Sequence, residues 1–381
     1  MNLVVRGARP SLSTKRRSIV VAMAAAWCVP AFADSARPVP APASRGAPIK
    51  PASVTAAAVP TLAVPTAPSP ATAPIDAAAS AGGIAVVLNS RDATVSLIDM
   101  ATFAEVGRVD VGKEPHHLYP TPDGRQLIVA NAISNDLDLL DPATGKPIGR
   151  VRNIDDPYQI SFSPDRKWFG VNALRLDRVD LYHYDGSQMT LAGRVPLAKA
   201  PSHLWFSSDS RWLYVTLQES DEVAAIDVQR QQVAWRMPVG RQPAGIIVTP
   251  GDKYLMVGVM GEDYVAVIDP ATRTEVARIV TGKGAHNFRG LGDQRHVFVS
   301  NRVDNTISKV DMTTLKVVDT IAVPGGPDCI EVTADGKQLW VTSRWAKRIS
   351  IVDLDQRKVV RVVSVGRSPH GIFFQQRAPL L

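Results

Sequence analysis

Short apolar runs return along this chain between polar turns, with a regular spacing from about residue 84 onward. In the unit at residues 113–154, an apolar run at 116–121 meets the turn Thr121-Pro122-Asp123-Gly124. A second run covers 126–130. A third, 137–140, ends at Asp141-Pro142-Ala143-Thr144-Gly145, and a more polar fourth run covers 147–151. Proline fixes φ and glycine tolerates positive φ, so both short segments read as tight turns. The first turn returns as SPDR at Ser163, SSDS at Ser207, TPGD at Thr249 and TADG at Thr333, with only GLGD at Gly290. The second returns at Asp99, Asp269, Asp311 and Asp353. The first three runs of each unit lack polar/apolar alternation, as in VFVS and LWVT, which predicts strands buried on both faces. The fourth, as in TRTEVARIV, suits an outer edge.

The unit repeats about every 42 residues. Its anchor Pro115 recurs as Pro157, Pro201, Pro243, Pro327 and Pro369, with Ala285 in the one position lacking proline. Four short strands at this period define a propeller blade. The segment that opens at Ile84 supplies only the second, third and fourth strands, and SPHGIFF at 368–374 supplies only a first. Six complete units and this split one predict an all-β, seven-bladed propeller of four-stranded antiparallel blades over residues 84–374. The C-terminal first strand pairs with residues 84–88 in the N-terminal blade, which closes the ring and removes exposed sheet edges. Residues 375–381 remain as a short tail.

The strings TPDGRQLIVAN, NTISKVD and ATVSLID carry a resemblance over residues 84–374 to the YVTN family of β-propellers. The resemblance implies the fold. It implies no single activity, because related propellers bind ligands, carry cofactors or scaffold.

Residues 1–33 read as a signal peptide: Arg6, Arg9, Lys15, Arg16 and Arg17, an apolar stretch from Ile19 to Val29, and the cleavage pattern Ala31-Phe32-Ala33. The expected mature chain starts at Asp34, has no transmembrane segment and is periplasmic. The Arg16-Arg17 pair leaves general and twin-arginine export both open. Residues 34–83 carry ten prolines between Pro38 and Pro74 and predict a disordered tether. Five of the seven excess positive charges lie in residues 1–33, which hold no acid, so the remainder is +2 and offers no footprint for nucleic acid. After cleavage only Cys329 remains, which excludes an intrachain disulfide and reads as a small buried residue.

The residues that follow the anchors should ring one mouth of the channel. They are His116, Tyr158, Ser202, Ala244, His286, Asp328 and His370. His286, Asp328, His370 and His116 fall on four consecutive blades, a donor set suited to zinc, iron, nickel or copper. Strand alternation would turn His117 and His203 away from them. Loops on the same face carry Arg91, Arg302, Arg344 and Trp345, which could hold a carboxylate or phosphate and stack on a planar group. The competing readings are histidines that pack structurally at blade starts and arginines that pair with Asp92 and Asp304. Histidine ligation requires the neutral ring, so retention of a metal should weaken below about pH 6.

No nucleophile elbow, HExxH, CxxCH or nucleotide fingerprint is present. The function that follows is a binding or scaffolding module, with a divalent metal, a haem, a small anionic ligand or a periplasmic partner at the channel mouth. Two alternatives stand beside it. One is a lactonase-type enzyme with a channel-mouth metal, in which Asp328 or a histidine serves as ligand or base. The other is a haem-handling or electron-transfer accessory, since the chain looks distantly like the haem-binding propeller of nitrite reductase. A metal analysis with an absorption spectrum separates them.

Overall fold

A computed structural model describes residues 61–63 and 82–381. The expected signal peptide, and the expected tether apart from 61–63 and 82–83, lie outside the described residues.

Turn chemistry sets the strand lengths. The Asp141 carboxylate accepts the amide N–H of Ala143 and Thr144, and Asp99 does the same for Ala101 and Thr102. At the other turn the Thr121 hydroxyl donates to Asp123 and accepts the Gln126 amide, a pattern Ser163, Ser207 and Thr333 repeat. Such local side-chain bonds compete with ladder pairing, so each strand stops there.

Between the turns the chain forms seven antiparallel sheets, numbered here as blades in chain order. Their innermost strands are Pro369–Phe373, Pro115–Pro120, Pro157–Phe162, Pro201–Phe206, Pro243–Val248, Ala285–Gly290 and Pro327–Val332. The first belongs to blade 1: it pairs with Ile84–Asn89, with Val86 opposite Phe373 and Val87 opposite Ile372. The predicted ring closure therefore holds. Middle strands such as Leu255–Val259 are wholly buried, while outer strands such as Glu105–Asp110 are mostly exposed.

Seven apolar clusters fill the seven spaces between neighbouring blades. The closing one joins Ala85, Val87, Ile372 and Phe374 of blade 1 and its flank to Trp340 and Ile349 of blade 7. Hydrophobic burial thus runs around the ring without a break, and no blade buries both faces alone.

Two segments add to the predicted plan. Thr61–Ala63, inside the expected tether, pairs antiparallel with residues 188–190 as a fifth strand on blade 3. This short stretch lies between Pro60 and Pro65 and so keeps its backbone N–H groups for pairing. The C-terminal tail is also packed. The Ala378 N–H donates to Val332 O and the Ala334 N–H to Gln376 O. Arg289, 4 % exposed, donates to Glu331 and to the carbonyls of Ala378 and Pro379. The tail thus lies across the ends of blades 7 and 6, on the face opposite the anchor prolines.

Candidate functional site in the central channel

Every innermost strand starts with the same irregularity. The pairing register slips between Pro115 and His117, Pro201 and Leu204, Pro243 and Ile246, Ala285 and Phe288, and Pro327 and Ile330, and equivalent slips occur in blades 1 and 3. A bulge suspends the two-residue alternation of a strand. In blade 2 this brings His116 and His117 together, with their Nδ1 atoms 2.9 Å apart. His117 and His203 therefore join the ring histidines, contrary to the alternation expected from sequence. Their rings lie 5.4 Å apart, and His203 lies 5.1 Å from His286. The bulge carries no residue-type signature here, so the sequence signals only the adjacent pair His116-His117 and the parallel Ser202-His203.

Five histidines thus form a continuous buried cluster. The His116 ring stacks 3.7 Å from Tyr158 and 3.8 Å from His370, and His117 lies 4.7 Å from His370. Donor atoms of His116, His117 and His370 lie within 4.8 Å of one another, as do those of Asp328, Cys329 and His370.

Backbone carbonyls fix two tautomers. His117 Nδ1 is 2.9 Å from Tyr158 O, and His370 Nδ1 bonds His116 O. A carbonyl only accepts, so each Nδ1 carries the proton and each Nε2 presents a lone pair. Nε2 of His117, His203 and His370 is buried without a protein hydrogen-bond partner. Burial drives the His117 pKa down to about 4, against the opposing effects of the Tyr158 carbonyl and Asp328. Burial likewise holds His116, His203, His286 and His370 well below the usual imidazole value, and the cluster's neighbouring positive groups push the same way. All five are neutral at pH 7. Burial raises the Tyr158 phenol to about 12.

Asp328 is fully buried between two guanidinium groups. Arg302 Nη2 donates to Oδ1 at 2.6 Å, and Arg344 Nη1 lies 3.4 Å from Oδ2. His286 Nδ1 is 3.3 Å and His370 Nε2 3.6 Å from Oδ1. Both carboxylate oxygens are committed, so a general-base role for Asp328 competes with two ion pairs. Arg302 and Arg344 do not pair with the loop acids: Asp304 accepts the Lys283 N–H, and Arg367 takes Asp92. Arg91 is exposed in its loop, and Trp345, half-exposed, packs over Gly326 at the rim. Of the four loop residues singled out from sequence, Arg302 and Arg344 alone reach the cluster through contacts described here.

Cys329 is buried beside it. Its thiol accepts from Asn287 and lies 3.6 Å from His370 Nδ1, and burial pushes its pKa up. A protonated thiol is unreactive, in keeping with the structural role read from sequence. His183 is exposed against Trp168, and His296 pairs with Asp293, both outside the cluster.

The fold and this channel define a seven-bladed propeller with donors for a metal at its centre. The chain belongs to the YNCE-like beta-propeller family, which it matches over residues 47–380. No curated protein matches it significantly. Among solved structures, it is similar to the dihydro-heme d1 dehydrogenase NirN in complex with DHE, at 17 % identity and TM-score 0.58, over 77 % of this chain and 75 % of that one. It is also similar to a functionally unknown protein from Desulfotomaculum acetoxidans, at 12 % identity and TM-score 0.66, over 76 % of this chain and 98 % of that one. At these identities the likeness is one of fold. No helix among the described residues is long and apolar enough to cross a membrane.

Proposed function

We propose that this protein is an exported, periplasmic propeller that handles a transition-metal ion in its central channel. His116, His117 and His370 are the principal donors, with His203, His286 and the Asp328 carboxylate around them. One observation carries the reading: three buried Nε2 atoms have no hydrogen-bond partner, and two of them are lone pairs on rings whose other nitrogen is fixed by a carbonyl. Leaving such a group unsatisfied costs about 1–3 kcal/mol. A carbonyl that orients the far nitrogen is the usual support behind a metal-bound imidazole. Neutral imidazoles suit zinc, copper, nickel or iron.

A haem-handling role is the second reading. The arginine pair supplies partners for the carboxylates of a tetrapyrrole, imidazole is a common axial donor, and the fold is shared with a structure solved in complex with DHE. When bound, the group would supply redox chemistry at iron, while the chain would contribute an imidazole nitrogen from the histidine cluster and the charge of Arg302 and Arg344. The close stacking of His116 between Tyr158 and His370 favours the smaller ion, because a macrocycle requires those rings to part.

Metal analysis and an absorption spectrum of the exported protein test both. The expected result is about one transition-metal ion per chain, lost in His117→Ala and His370→Ala with the fold intact. An intense haem band transfers the assignment to the second reading. Substoichiometric metal that is unchanged by either substitution, with reduced thermal stability, makes the histidines structural and overturns the proposal.

A further inference from the structure

Below the histidine cluster the channel does not fill. A cavity of about 440 Å³ extends from His117 along the innermost strands of blades 2, 3 and 4 to the turns at Pro122 and Pro164. It opens on the face opposite the anchor prolines. Its wall includes Tyr119, Ile160, Phe162, Leu204 and Trp205, and Leu380 of the C-terminal tail completes it. Volumes of about 300–1,000 Å³ with mostly apolar, aromatic walls and a few placed polar groups are typical of small-molecule sites. Gln159, Ser161 and Ser163 add neutral polar groups along the wall, and the two basic groups lie at opposite ends. At the inner end stands His117, 8 % exposed, with an Nε2 that has no protein partner. At the outer end stands Arg166, the one charged residue, other than a histidine, among the described residues that line the cavity.

We infer that this chamber is a second binding site, for a compact aromatic carboxylate. The ring system lies against Tyr119, Phe162 and Trp205, and the carboxylate meets Arg166 at the rim. An aromatic body suits this wall because offset and edge-on ring contacts add to area burial. The single cation sets the sign of the ligand's charge. Chain length in the ligand is limited by Leu380, which the tail holds in place through Arg289 and Glu331. The inference goes beyond the metal reading and does not require a bound ion.

Titration calorimetry with 2-naphthoate tests it, using 2-naphthalenemethanol as the neutral counterpart and the full chain as purified. One saturable site per chain is expected for naphthoate. Arg166→Ala should weaken naphthoate about threefold and leave the alcohol unchanged, the size of an exposed ion pair. Ser161→Trp, which places a large ring in the chamber, should abolish both while metal content is retained. Absence of saturable binding by the parent, or binding unmoved by both substitutions, overturns the inference. Because metal content is read separately, failure here leaves the metal assignment standing, and loss of metal leaves this one standing.

Discussion

At the scale of single residues, the histidines matter through the proton each holds. His117 donates Nδ1–H to a carbonyl and keeps a bare Nε2 in a buried site, where charging the ring is costly. An exposed histidine site would release its metal as pH falls through about 6. Burial moves that threshold, because the His117 pKa is depressed to about 4 and those of the other four lie well below the usual value. The expectation of release near pH 6 is thereby corrected. Metal should remain bound at pH 5 and leave near pH 4 or below, as followed by equilibrium dialysis across that range. Complete release at pH 6 would show that the rings protonate as if solvated. In the metal-free protein the sign is the same. Unfolded histidines take up protons below about 6.5 while the folded ones do not, so stability falls as pH drops from there toward 4.

At the scale of elements, the bulge and the close approach of neighbouring innermost strands shape the site. Gly245 shows how tight that approach is: a Cβ there would lie 2.1 Å from His286 O. That carbonyl is backbone and cannot step aside cheaply. Gly245→Ala should therefore destabilise the protein by about 2 kcal/mol, the size of an overpacking penalty. Gly107→Ala is the control, since its nearest neighbour is a Leu97 side-chain carbon at 3.5 Å. Thermal melts should separate the two variants by at least about 4 °C. Equal melting would mean that the two strands have room to spread.

The same scale explains what could be read in advance. The anchor prolines, the Asp turns and the unalternated apolar runs each act locally, so blade count, strand order and closure were legible. The ring positions of His116, His286, Asp328 and His370 followed from the period alone. His117 and His203 did not, because their direction depends on a register slip set by pairing with the next strand. The pairing of Arg302 and Arg344 with Asp328 was hidden for a similar reason: it joins neighbouring blades, while the acid nearest Arg302 in sequence, Asp304, accepts the Lys283 backbone N–H instead.

At the scale of the whole molecule, the C-terminal 14 residues have two separable tasks. Residues 369–373 complete blade 1, and the residues after them cross blades 7 and 6. Deleting 375–381 should cost about 2 kcal/mol, by uncovering the Arg289–Glu331 pair, and leave a closed ring that melts a few degrees lower. Deleting 368–381 should instead expose Val86 and Leu88 along an unpaired edge and yield little soluble protein. Soluble yields and melting curves of the two truncations decide this. Equal behaviour would mean that strand pairing at blade 1 does not hold the ring.

Closure by the last strand also imposes an order in time. His370 sits on that strand, and its Nδ1 reaches the carbonyl of His116 in the second blade. A ribosome delivers His116 long before His370, which follows 254 residues later. The cluster is therefore incomplete in any chain that stops short of residue 370, however many blades have already formed. Whatever the cluster binds can be held only once the closing strand has seated in the first blade, so shutting the ring and assembling its centre are one event.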